Sequence, residues 1–130
     1  MMGIWQSYAG IYLYAAGITM LAGAGIPLLV VPMTWARWLR WEVPQAGRLA
    51  TFLGRSLGIT ICAVAAYAIK AAGAPAAQPF FFEFLLWLLV AMLGVHIYGA
   101  IARAQPKTET GEIALWVALI LATLAFYPAG

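Results

Sequence analysis

Charge is the scarcest property of this chain. Charged side chains make up 8% of its 130 residues, against roughly 25% in a soluble domain. That shortfall excludes an ordinary soluble globular protein. The net charge of +3 comes from seven basic and four acidic residues with no basic run among them, so nucleic acid is not an expected partner. One cysteine, Cys62, rules out an internal disulfide and a cysteine-based zinc site, and it reads as a small packing residue. One histidine, His96, leaves haem without a second imidazole, and metal clusters lack an evident set of ligands. A serine triad has only Ser7 and Ser56 to draw on. No glycine-rich phosphate loop is present. No catalytic residue, cofactor or metal is therefore expected, and the reading leans away from an enzyme.

Apolar side chains are what the chain has in quantity. Hydrophobic residues reach 65%, well above the usual 45–50% or so. With room for one domain, this composition predicts an all-α integral membrane protein, an antiparallel four-helix transmembrane bundle with spans near residues 8–31, 48–72, 80–102 and 110–127. The first span is too long and too glycine-rich for a cleavable signal peptide. Its start is crowded by Trp5, Tyr8, Tyr12 and Tyr14, an interfacial aromatic belt. Two rows of small residues, Ala9/Ala16/Gly23 and Gly10/Gly17/Ala24, offer a close-packing seam. Pro27 is expected to kink the span and Pro32 to end it.

Between the first two spans runs MTWARWLRWEVPQAG. Trp35, Trp38 and Trp41 recur every three residues with Arg37 and Arg40 between them, the pattern of a short interfacial anchor lying in the headgroup layer. The second span carries Arg48, Thr51, Arg55, Gly58, Cys62 and Ala66 on one face. Arg55 is the informative residue, because a guanidinium inside a span needs a partner, water or a snorkelling route. Its run RSLGITICAVAAYAIK resembles, over residues 55–70, the Arg-x-x-Gly helix of DoxX-like small membrane proteins. The likeness carries no site residue over.

The third span repeats Phe82, Leu89, His96 and Arg103 every seven residues on one face. In the loop that follows, Thr108 or Thr110 is expected to cap the fourth span, with Glu112 near its first turn. That span has an Ala114/Ala118/Ala122 ladder as a close-packing face.

Basic residues set the orientation. Arg37, Arg40, Arg48, Arg103 and Lys107 flank loops on one side, with Lys70 alone opposite. Both longer loops are thus expected in the cytoplasm and both termini outside, with a bacterial inner membrane as the natural setting. Counting depth from the cytoplasmic boundary gathers an inner set for a ligand or ion, Arg55, His96, Tyr98 and Glu112. Arg55 and His96 are expected within direct or one-water contact. Lys70 and Glu83 form an outer set of polar residues, read as separate interfacial contacts.

Three functions fit. The first is a non-enzymatic bundle that packs with a partner in a larger complex or binds a hydrophobic, lipid-like ligand within the bilayer. The second is a homo-oligomeric small transporter or channel using Arg55 and His96. The third is a lipid-acting enzyme at the cytoplasmic interface.

Overall fold

The computed structural model describes residues 3–45 and 47–128. The chain ends, on which the expectation of extracytoplasmic termini falls, lie outside the described residues, as does position 46. Every regular element among the described residues is helical. In order they are α1 (Gly3–Gln6), α2 (Ala9–Met20), a π-helical turn (Leu21–Gly25), α3 (Ile26–Val30), α4 (Pro32–Trp38) and α5 (Arg48–Ala72). A short 3-10 turn (Pro75–Ala77) leads into α6 (Gln78–Ile101), and α7 (Lys107–Ala125) closes the series. Four stretches are long and apolar enough to cross a membrane: Ala9–Val30, Arg48–Ala72, Pro75–Ile101 and Lys107–Ala125.

The fourth stretch starts earlier than its sequence pattern suggested. Pro106 at ψ 160 is the N-cap, and its carbonyl accepts from Glu109 and Thr110 N–H. Both threonines lie inside the helix, past its N-cap. The polar run KTET therefore belongs to the helix, which reaches 19 residues, about 28 Å at 1.5 Å per residue. That length comes close to a bilayer's hydrocarbon thickness of about 30 Å.

Contacts gather into two compact units, Leu13–Lys70 and the remainder, namely the residues up to Tyr12 with those from Ala71 onward. The Leu13–Lys70 unit lays the first span along α5 through glycines. A methyl group added at Gly58 would stand 2.5 Å from the Leu29 backbone nitrogen, and one at Gly17 2.8 Å from the Ala65 carbonyl oxygen. Gly25 abuts Cys62, and Gly54 abuts Pro32. Backbones this close gain dispersion contacts that larger residues would prevent. The row containing Gly10 and Gly17 is used in this way, whereas Gly23 of the other row is open. On α5, Gly58 and Cys62 of the expected polar face lie in the seam. Arg55, about 60° further round than Gly58 at 100° per residue, is exposed, and so is Ala66.

Pro27 explains the π-helical turn. Its missing N–H cannot reach the Gly23 carbonyl four residues back, and the ladder loosens so that Ile26 N–H bonds Leu21 O instead. The Trp35 indole N–H then donates to Gly23 O at 2.9 Å, supplying that carbonyl with a donor from α4. Trp38 stays exposed at 67%, and Trp41 lies beyond the helix end. That end is a Schellman turn, with Trp41 N–H on Ala36 O and Arg40 N–H on Arg37 O. Arg40 holds φ 66 there, and Arg103 holds φ 52 in the corresponding turn after α6. Both arginines stand where glycine is usual, at a cost of about 1–2 kcal/mol each.

The second unit is sealed by aromatic and polar side chains. Tyr12 stacks on Phe126 at 5.0 Å, and Phe82 lies against both Tyr12 and Tyr127. Tyr12 and Thr123 hydroxyls share a hydrogen bond of 2.6 Å, while Thr123 also donates to Leu119 O. On α6 three residues of the expected stripe, Phe82, Leu89 and His96, are buried, whereas Arg103 is exposed in the turn beyond the helix end. On α7 the alanine ladder is not. Ala114 and Ala118 are exposed, and the buried side instead runs through Glu109, Trp116 and Thr123 at a seven-residue repeat. Alanine is tolerated against lipid or helix alike, whereas a carboxylate, an indole and a hydroxyl strongly prefer protein neighbours to hydrocarbon.

Candidate functional site: a buried histidine and two glutamates

His96 sits in the last turns of α6 and is 5% exposed. The chain turns back within the five residues 102–106. The first helical turns of α7 therefore come beside it. Glu109 falls in the first turn of α7, where the free N–H groups and helix dipole favour a carboxylate. Glu112 follows at i+3 on the same side. Glu109 Oε2 stands 2.9 Å from His96 Nε2, and Glu112 Oε2 stands 3.5 Å from the same nitrogen.

The other imidazole nitrogen fixes the ring. His96 Nδ1 lies 2.8 Å from the Met92 carbonyl oxygen. A carbonyl can only accept, so Nδ1 carries the hydrogen and donates. Gln105 ties the loop to the same place, donating from Nε2 to His96 O at 2.9 Å and to Thr110 Oγ1 at 3.2 Å. Gly99 leaves room for this, since a methyl group there would collide with the Gln105 side chain. The Trp116 ring packs beside His96 with centroids 5.2 Å apart, and its buried N–H has no hydrogen-bond acceptor among the described residues.

Of the inner set expected from the sequence, His96 and Glu112 come together and Tyr98 does not. Tyr98 is 72% exposed, on another face of α6. Arg55 is exposed on α5, in the other unit. Lys70 stands over the Tyr67 ring at 5.5 Å, and Glu83 is exposed. Of the anchor residues, Trp35 is half-buried, while Arg37, Trp38, Arg40 and Trp41 are exposed.

Glu109 is the residue that sequence reasoning missed. With the helix started at Thr110 it belonged to the loop. The available signal was Pro106, since helices often begin directly after a proline. Starting there brings Glu109 and Glu112 onto one face near the depth of His96. The same placement assembles three potential ligand atoms that composition alone had not suggested, all within 4.8 Å of one another.

The class these features define is, among the described residues, all-helical, with four membrane-length helices and an ionisable cluster around the buried His96 at a helix–helix turn. In comparisons with protein families, curated proteins and solved structures, none matches this chain.

Proposed function

We propose that this is a non-enzymatic integral membrane protein that holds an anionic, lipid-like ligand or an acidic partner helix against the exposed side of its second span. One observation carries the reading. Arg55 is exposed, lies seven residues into α5 and shares its side of the helix with the apolar, exposed Phe52 and Ile59, one turn to either side. Seven residues amount to about 10 Å of depth. A guanidinium at that depth calls for a carboxylate, a phosphate or water, and no ion pair among the described residues involves it.

The expected setting supports this. Four apolar helices joined by short links suit an antiparallel bundle in a bacterial inner membrane. The basic excess on the loops after the first and third spans puts those loops in the cytoplasm and both termini outside. A Gln105→Cys variant should then react with an impermeant thiol reagent only from the cytoplasmic side. Labelling from outside would reverse the orientation.

The decisive experiment compares the protein with Arg55→Leu and Arg55→Lys after direct extraction from membranes into lipid particles, followed by native mass spectrometry. Wild type should carry an anionic lipid or a bound protein that Arg55→Leu loses and Arg55→Lys partly keeps, with helical content unchanged. Identical masses and identical lipids across the three would end the proposal. The buried His96 cluster favours a second reading, a homo-oligomeric transporter or channel in which His96 and Arg55 handle ions. A symmetric oligomer that survives Arg55→Leu and moves ions across vesicles would support it instead.

A further inference from the structure

We propose that His96, Glu109 and Glu112 form a binding site for a single divalent transition-metal cation, of the Zn²⁺, Mn²⁺ or Fe²⁺ type. Four observations converge on it. The first is the hydrogen already placed on Nδ1 by the Met92 carbonyl. In the neutral ring, Nε2 is then a lone pair, and it faces two carboxylate oxygens at 2.9 and 3.5 Å. Three acceptors cannot satisfy one another. Something positive belongs between them, either a proton or a metal ion.

Spacing is the second. With metal–ligand bonds of about 2.0–2.2 Å, ligand atoms at octahedral to tetrahedral angles stand roughly 2.9–3.5 Å apart. The two measured separations span that interval, and all three atoms lie within 4.8 Å. Third, an imidazole whose far N–H is held by a backbone carbonyl is the usual outer arrangement of a metal-binding histidine, fixing tautomer and ring plane. Fourth, the Trp116 ring beside His96 carries a buried N–H with no acceptor among the described residues. Water or an anion completing the coordination of an ion would offer it one.

Charge and ligand type select the ion. Two carboxylates and a dication sum to zero, which suits a side-chain site with His96 and Glu109 almost wholly buried. One nitrogen and two oxygens with no thiolate match borderline to hard divalent ions of the first transition row. Ca²⁺ asks for six to eight oxygens, and Mg²⁺ for oxygens and water in a near-ideal octahedron, so neither is favoured by this donor set. The site shares no residue with the Arg55 face, and either can stand without the other.

The test uses the full chain in detergent, treated with chelator, dialysed against Zn²⁺, Mn²⁺ or Fe²⁺ in turn, and assayed for bound metal per chain. Wild type should retain one equivalent of at least one ion. His96→Gln should lose it. Because His96 is buried and that variant can misfold, Glu112→Gln is the second variant. Its side chain is 28% exposed at the rim and the Glu109 contact remains. It should weaken binding tenfold or more while leaving the metal-free thermal unfolding curve in place. Mn²⁺ bound to wild type should also give an altered electron paramagnetic resonance signal that Glu112→Gln changes. Absence of stoichiometric binding for all three ions would overturn the site and leave a proton between the groups. Equal binding by wild type and both variants would overturn it too, because the ion would then lie elsewhere.

Discussion

The two units are sealed by opposite means. In the Leu13–Lys70 unit, glycines let α5 touch the backbone of the first span, with Gly58 against Leu29 and Gly17 against Ala65. In the other unit, large and polar side chains fill the same role, Tyr12 with Phe126 and Thr123 at one end and His96 with Glu109 and Trp116 at the other. The first kind of seam has no chemistry to offer, only fit. The second places hydroxyls, an imidazole and carboxylates where water is scarce, and that is where ligand-binding chemistry becomes possible. A glycine seam and a polar seam also fail differently, which gives the comparison experimental content.

The largest effect is expected at the glycine seam. Gly58→Leu would drive a branched side chain into the Leu28–Leu29 backbone, which cannot yield as a flexible side chain would. Overpacking typically costs about 1–3 kcal/mol and sometimes more. Against rigid backbone the upper end applies, and the folded fraction recovered in mild detergent should collapse. Recovery and thermal unfolding equal to wild type would show that α5 and α3 do not approach this closely.

How far each seam could be read from sequence follows from the same physics. The four helices and the Phe82/Leu89/His96 stripe were legible because hydrophobic length and a seven-residue repeat are properties of the residues themselves. Gly17 was legible as a packing residue for a similar reason, since glycine is a poor helix former and mid-helix needs a purpose. The alanine ladder of α7 misled because alanine suits either environment. Arg55 was grouped with Gly58 and Cys62 by its angle, yet it stands about 60° round from Gly58 and is exposed beside the seam rather than in it. Glu109 was lost to a helix start set three residues too late. The fit of Trp35 to Gly23 O was beyond sequence, because it needs the loosened ladder at Pro27 and the turn into α4 together.

Trp35 gives the intermediate case. It belongs to the tryptophan anchor by position, but within the Leu13–Lys70 unit it completes the backbone hydrogen bonding that Pro27 interrupts. Trp35→Phe keeps the aromatic bulk and removes the donor, leaving Gly23 O without it. Such a loss costs about 1–2 kcal/mol, and a lowered unfolding temperature in detergent should report it. Trp38→Phe, at an exposed position outside this contact, should leave the unfolding temperature unchanged. If the two variants behave alike, Trp35 acts only as an anchor.

The smallest effect sharpens the contrast from the other side. Gly94 lies in the middle of α6, is exposed, and a methyl group added to it meets nothing within 4 Å. It is a glycine without a seam. Gly94→Ala should therefore behave as an ordinary helix-propensity substitution, stabilising by about 0.5–1 kcal/mol through the backbone freedom it removes from the unfolded chain. Gly94→Leu should be tolerated equally in the isolated chain, a rise or no change in unfolding temperature where Gly58→Leu gives collapse. The measurement separates two meanings of exposure. If the leucine variant unfolds normally as purified monomer yet loses a protein that wild type retains on extraction, the notch at Gly94 is the floor of a partner's seam. If it destabilises the monomer itself, neighbouring side chains already occupy that space, and the face is not open.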